Sequence, residues 1–89
     1  MNARPVTIVN KLGLHARAAT RLVNCASGFS AEVRLVRGTR SVNAKSIMGV
    51  LTLAAATGTE LVIEADGPDE DAAIEAIATL IDDRFGEEQ

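Results

Sequence analysis

Few residues in the 89-residue chain can form crosslinks or stack on bases: there is one cysteine, Cys25, no tryptophan and no tyrosine. A single cysteine excludes an intrachain disulfide and a thiolate metal cluster. Phe29 and Phe85 are the only aromatic residues and the formal net charge is -3, so nucleic acid is not an expected partner. One histidine without metal-ligand spacing predicts no metal site, and we expect no cofactor.

Long apolar runs are also missing. The longest stretch without a charge or a strongly polar break, residues 46–56, is far shorter than the roughly 20 residues that span a bilayer. The amino terminus lacks the apolar segment of a signal peptide. We therefore expect a cytoplasmic protein without a membrane segment. Its 47% apolar and 24% charged residues predict a single folded domain over residues 1–89.

Hydrophobic periodicity predicts four strands and three helices. Alternating apolar residues predict strands over residues 5–10, 31–37, 39–43 and 60–66. Helical spacing predicts helices over residues 16–27, from 47 to about 57, and from 69 to near 86. Residues 87–89, EEQ, are expected to be a frayed acidic tail. Because each strand has a single apolar face, three helices on one side can cover the sheet. The prediction is an α+β open-faced two-layer sandwich in the order β-α-β-β-α-β-α.

The spacing within the helices also predicts which residues are buried. The first helix is expected to bury Ala16, Ala19, Leu22, Val23 and Ala26, and to expose Arg17, Arg21 and Asn24. Ser46 precedes the second helix and is a natural N-cap, a role worth about 1 kcal/mol.

His15, the only histidine, lies between the first strand and the first helix, at the N-cap position or next to it. A helix start presents unpaired N–H groups and the positive end of the dipole, which together bind anions. The same field disfavours a protonated imidazole, so the ring is expected to be mostly neutral and nucleophilic near pH 7. A phosphoryl group on this ring would face the N–H groups, and Arg17 and Arg21 could add charge-assisted bonds. On spacing alone, a solvated or capping histidine is the commoner arrangement.

Two segments resemble the signatures of a known family. Residues 10–19, NKLGLHARAA, resemble the active-site segment of the HPr family, the histidine-containing phosphocarriers of the bacterial phosphoenolpyruvate phosphotransferase system. Residues 43–51, NAKSIMGVL, resemble the family's second signature, which surrounds a regulatory serine. The two segments have the family's spacing, and the resemblance spans essentially the whole chain. It implies an antiparallel sheet of order 1-4-2-3, in which the first helix crosses between parallel, non-adjacent strands.

The resemblance also implies a reaction. His15 would accept a phosphoryl group on Nδ1 from phosphorylated Enzyme I and pass it to an Enzyme IIA-type protein, with Arg17 stabilising the phosphate. Family members commonly have proline after this arginine, whereas this chain has Ala18, which is expected to loosen the helix start without removing the chemistry. We therefore expect a monomeric phosphoryl relay rather than a stand-alone enzyme.

Ser46 and the helix that follows it have further implied roles. By the resemblance, Ser46 is the target of an HPr kinase in organisms that have one, and its phosphate would repel an acidic partner. The second helix is too apolar to hide every face, so we expect Ile47 or Met48 to be exposed near His15 in an apolar docking patch. The expected docking residues are Ala16, Arg21, Lys45, Ile47, Met48 and Leu51, with Arg17, Arg21 and Lys45 at the rim.

Two alternatives stay open at this point. The first is a carrier of the nitrogen-related branch, which would keep the histidine chemistry but have a regulatory output. The second is an interaction module of the same fold that transfers no phosphoryl group. The presence of His15 argues against the module, and residues 45–48 favour the general carrier of sugar uptake.

Overall fold

The computed structural model describes residues 1–89 and contains four strands and three α-helices in the predicted order. The elements are β1 (Asn2–Thr7), α1 (Ala16–Ser27), β2 (Glu32–Arg37), β3 (Arg40–Asn43), α2 (Ile47–Leu51), β4 (Glu60–Asp66) and α3 (Glu70–Asp82), followed by a short 3-10 turn at Arg84–Gly86. No helix combines the length and the apolar character needed to cross a membrane.

The four strands form one sheet in the order β1-β4-β2-β3, and all neighbouring strands are antiparallel. Because β1 and β2 both run antiparallel to β4, they are parallel to each other without being adjacent, and α1 crosses between them. Alternate residues of β4 are buried beneath the helices, and Val62 and Glu64 lie on the open face. The predicted open-faced sandwich and its sheet order are confirmed.

The first strand begins and ends earlier than its apolar pattern predicts, since β1 covers Asn2–Thr7 rather than residues 5–10. Its first three residues, Asn2, Ala3 and Arg4, are exposed in an edge strand and give no alternating pattern of large apolar side chains. Ile8 is fully buried just beyond the strand, where its N–H donates to the Thr59 carbonyl at 2.9 Å and its carbonyl accepts from the Gly58 N–H at 2.7 Å. The pattern therefore identified a buried position but not the end of the strand.

One expected core residue of α1 is exposed. Ala16 lies on the surface, and Ala18 is fully buried with the other four predicted positions. Ala18 lies one turn before Leu22 in an i, i+4 row, whereas Ala16 is the first residue of the helix and is exposed.

The second helix is much shorter than its apolar sequence predicts. α2 covers Ile47–Leu51, and the prediction of a helix to about residue 57 is wrong. The Leu53 and Ala54 carbonyls accept hydrogen bonds from Arg37 Nη1 at 2.6 and 3.2 Å, and the Ala55 carbonyl accepts one from the Leu14 N–H at 2.8 Å. These tertiary partners compete with the intrahelical bonds that a longer helix would form.

The acidic tail is not frayed, in contrast to the expectation from its sequence. Phe85 is fully buried, so it draws the end of the chain onto the core. Beyond it, the Lys11 N–H donates to the Gln89 carbonyl at 2.9 Å, and Asn10 Nδ2 donates to Glu87 Oε1 at 3.0 Å. The tail therefore packs on the loop between β1 and α1.

Gly13 lies at the tightest point of this loop. Its φ is +69°, and a Cβ atom there would lie 2.5 Å from the Ala55 carbonyl oxygen and 2.9 Å from Ala56 Cα. Real Cβ atoms do not approach backbone atoms so closely, so only glycine allows the loop before His15 to contact the loop that follows α2.

We predict that Gly13→Ala lowers the free energy of unfolding by about 3 kcal/mol, because the backbone clash adds to a left-handed strain of about 1–2 kcal/mol. Gly38→Ala is the matched control, since Gly38 has φ +59° but nothing within 4 Å of its would-be Cβ. This control should lose only the strain, about 1 kcal/mol. Urea denaturation measures both variants, and equal losses would show that the close approach at Gly13 contributes nothing.

Candidate functional site

His15 is the N-cap residue of α1. Its backbone is extended, with φ -74° and ψ 178°, and its Nδ1 accepts a hydrogen bond from the Arg17 N–H at 3.3 Å. The side chain is 29% exposed. The ring therefore presents Nδ1 to the unpaired N–H groups of the first helical turn while a partner molecule can still reach it.

The other ring nitrogen of His15 contacts the tail. Nε2 forms a hydrogen bond with Glu87 Oε2, and the second carboxylate oxygen, Oε1, accepts from Asn10 Nδ2. The Asn10 hydrogen bond lowers the pKa of Glu87, and the hydrogen bond and charge of His15 and the charge of Arg21 add to this against the effect of burial. Glu87 is therefore an ionised carboxylate next to the imidazole.

The sequence did not predict a role for Glu87, because its last residues have the composition of a frayed acidic tail. The signal that could have found it is Phe85, one of only two aromatic residues in the chain, placed two positions before Glu87. A phenylalanine close to the end of a chain needs a buried site, and burying it brings the following residues onto the protein.

The two arginines of α1 have different surroundings. Arg17 is exposed and its guanidinium has no hydrogen-bond or ion-pair partner. Arg21 is also exposed, but its Nη1 donates a hydrogen bond to the Phe85 carbonyl, which holds the turn before the tail. Of the two, Arg17 is thus the one whose guanidinium is available to an anion at His15.

α2 exposes apolar side chains at its start. Ile47 is 40% and Met48 is 72% exposed, so both members of the expected pair lie on the surface, whereas Leu51 is half-buried. Leu12, in the loop before His15, is also exposed and was not singled out from the sequence. Ser46 caps α2 as expected, its Oγ accepting from the Gly49 N–H at 3.2 Å.

Lys45 is not a free charge beside His15. Its Nζ donates to the Phe29 carbonyl at 2.7 Å, just beyond the carboxyl end of α1. His15 is at the opposite end of this helix, which at twelve residues is about 18 Å long. The structure therefore brings Ala16 and Arg17 next to His15, and it places the Lys45 ammonium at the other end of α1.

The surroundings of His15 contain no group of three His, Cys, Asp or Glu side chains that could hold a metal ion, and none exists elsewhere in the chain. No cavity is lined by His15. The candidate site is a surface histidine between a helix start, which offers N–H donors, and a carboxylate.

Comparison with known proteins matches residues 3–83 to the family model described as the phosphotransferase system HPr component phosphorylation site. Phosphocarrier protein HPr of Cupriavidus necator is 52% identical, over 98% of each chain. Phosphocarrier protein NPr of Shewanella violacea is 48% identical, over 94% of this chain and 92% of its own. The crystal structure of HPr-C-His from Thermoanaerobacter tengcongensis superposes with a TM-score of 0.96 at 43% identity and covers 100% of both chains.

The similarity therefore covers nearly the whole chain in both sequence and structure. The fold and the histidine at the start of α1 agree with this similarity. The chain belongs to the HPr family of phosphocarriers of the phosphotransferase system.

Proposed function

We propose that this protein is a phosphoryl relay, in which His15 accepts a phosphoryl group from phosphorylated Enzyme I and passes it to an Enzyme IIA-type protein. The observation that carries the proposal is the N-cap position of His15, with Nδ1 accepting from the Arg17 N–H at 3.3 Å. A nitrogen lone pair at a helix start lies where an attached dianion would meet backbone N–H donors and the positive end of the dipole.

The transfer step needs positioning and charge stabilisation rather than a deep cleft. The Nδ1 lone pair attacks the phosphorus of the donor's phosphoryl group, and the bond between phosphorus and the donor atom breaks with its electron pair returning to the donor. The N–H groups at the start of α1 take up charge on the phosphoryl oxygens, and the unpartnered guanidinium of Arg17 adds to them. A partly exposed ring lets a partner protein bring its phosphoryl group into line with Nδ1 across an interface.

The partners would dock on the exposed apolar side chains at the start of α2. Met48, Ile47 and half-buried Leu51 supply a small apolar surface, and Leu12 adds a further exposed side chain on the loop before His15. A small exposed apolar surface suits the weak and rapid encounters that a relay needs. The proposal places these encounters in the cytoplasm and treats the carrier as a monomer.

The second candidate function is that of a nitrogen-branch carrier, because an NPr-named relative is 48% identical while the HPr-named one is 52% identical. Both candidates use His15 in the same way and differ in the Enzyme IIA-type acceptor. Transfer from the phosphorylated protein to a sugar-specific or to a nitrogen-type acceptor distinguishes them.

We predict that incubation with phosphoenolpyruvate and purified Enzyme I adds one acid-labile phosphoryl group to the wild type and none to His15→Ala. His15 is the only imidazole in the chain, so its loss removes the nucleophile. Intact-protein mass spectrometry measures the addition, and thermal melting checks that the variant is folded. An unmodified wild type, with an Enzyme I that phosphorylates another carrier, would contradict the relay.

We predict that Met48→Ala raises the KM of Enzyme I for this carrier about tenfold with little change in kcat, since truncating an exposed anchor costs about 1 kcal/mol or more of binding. Steady-state transfer kinetics measure both constants. Val62→Ala is the control, because Val62 lies on the open face of the sheet, opposite the helices. Equal effects of the two truncations would show that Met48 is not a docking residue.

We predict that Ser46→Asp lowers kcat/KM for transfer from Enzyme I at least tenfold while the free energy of unfolding stays within about 0.5 kcal/mol, because aspartate also caps helices well. The added charge lies beside exposed Ile47 and Met48, where an acidic partner would be repelled. Ser46→Asn keeps a cap without the charge and should transfer normally. Transfer kinetics for Ser46→Asp that match those of Ser46→Asn would contradict a regulatory role.

A further inference from the structure

The tail contacts His15 through the carboxylate of Glu87, which is held in place by a second partner. Glu87 is only 13% exposed at its side chain, although it stands in an acidic terminal segment. Each carboxylate oxygen has its own partner: Oε1 accepts from Asn10 Nδ2 at 3.0 Å, and Oε2 contacts His15 Nε2. The carboxylate is thereby fixed in orientation as well as in place.

We propose that Glu87 is a positioning residue that keeps the His15 proton on Nε2, so that the lone pair of Nδ1 is available for phosphoryl transfer. The inference rests on the proposed phosphoryl-accepting role of His15. An ionised carboxylate can only accept hydrogen bonds, so the nitrogen that faces it must carry the proton. A neutral imidazole has one such proton, and Nδ1 is then the acceptor, which agrees with the hydrogen bond that it receives from the Arg17 N–H.

Asn10 orients the carboxylate from inside the protein. Its side chain is fully buried, and Nδ2 donates both to the Gly13 carbonyl at 2.9 Å and to Glu87 Oε1. A flipped amide would turn its oxygen toward a carbonyl and a carboxylate, which removes both hydrogen bonds at once. Asn10 therefore has one favourable orientation, and in this orientation it presents a donor to Glu87.

The backbone on both sides of Glu87 is anchored as well. Arg21 Nη1 donates to the carbonyl of buried Phe85 two residues before it, and the Lys11 N–H donates to the Gln89 carbonyl two residues after it. These anchors come from α1 and from the loop before it, which are the elements that also carry His15. The tail and the ring that it contacts are therefore anchored to the same elements.

Retaining the proton on Nε2 helps transfer in both directions. When Nδ1 forms its bond to phosphorus, the ring still carries the Nε2 proton and becomes a cation, which the adjacent carboxylate stabilises. When the P–Nδ1 bond breaks, its electron pair returns to Nδ1 and the ring leaves as neutral imidazole, with no proton transfer needed. The same contact thus serves accepting and donating.

The first test is made on the unphosphorylated protein. Nitrogen-15 NMR of the His15 ring should show the proton on Nε2 in the wild type. Glu87→Gln should give a mixture of tautomers, because an amide can either accept from Nε2–H or donate to a bare Nε2. Glu88→Gln removes the same charge from the exposed neighbouring residue and should behave as the wild type.

The second test is transfer from phosphorylated Enzyme I. Glu87→Gln should lower kcat about tenfold with a KM close to that of the wild type, because the docking side chains are untouched, and Glu88→Gln should change neither. If Glu87→Gln keeps the Nε2 tautomer and the kcat of Glu88→Gln, the role of Glu87 is overturned while the relay stands. A wild type that accepts no phosphoryl group overturns the relay and this inference together, and the NMR result then shows whether Glu87 still sets the tautomer.

The pH dependence of stability gives a further check on the contact. The pKa of Glu87 is lowered in the folded protein, chiefly by Asn10, with His15 and Arg21 as the facing charged groups. Its contribution to stability is therefore present above the ordinary glutamate pKa of about 4.3 and is lost as the pH falls through the lower folded value. Urea denaturation should find the wild type more stable than Glu87→Gln at neutral pH, and this difference should shrink in acid. A difference that does not change with pH would contradict an ionised, bound carboxylate.

Discussion

The unpaired N–H groups at the first turn of α1 are the feature on which the rest of the site depends. They need an acceptor, and His15 supplies one through Nδ1 only because the loop before it holds the ring over the helix end. The loop in turn is fixed by Gly13 and Leu14, which contact the segment after α2. The core thus places the imidazole where a helix start needs an anion or a lone pair, and the chemistry that we propose uses that place.

The element order could be predicted because hydrophobic periodicity records which side of each element is buried. It succeeded for β4, whose bounds match the prediction, and for α1, apart from Ala16 and Ala18. Periodicity failed for α2, because Leu53 and Ala55 are buried in the loop that follows Leu51 rather than in a longer helix. Apolar composition cannot distinguish a buried loop from a buried helix, and here Arg37 supplies the loop's carbonyls with donors from a distant strand.

For the candidate site, the sequence could predict what is local in the chain and missed what is distant. His15, Arg17 and the exposed pair at the start of α2 lie within recognisable segments, so their type and spacing identify them. Glu87 is 72 residues from His15, and no local pattern connects the two. Lys45 was grouped with the site because its segment carries the second signature, but its ammonium binds the Phe29 carbonyl beyond the far end of α1.

A relay must hold its phosphoryl group firmly enough to carry it and loosely enough to release it, which argues against a deep, dry site. In such a site the interaction of the phosphate with its donors would be far stronger than near water. Part of the His15 ring is exposed, and each of its two nitrogens makes one hydrogen bond. Nδ1 accepts from a backbone N–H, and Nε2 bonds to a carboxylate. These two contacts fix the orientation of the ring. In the relay that we propose, the exposed side chains of α2 would set the specificity for each partner, and because they touch neither nitrogen, docking and chemistry could be altered separately.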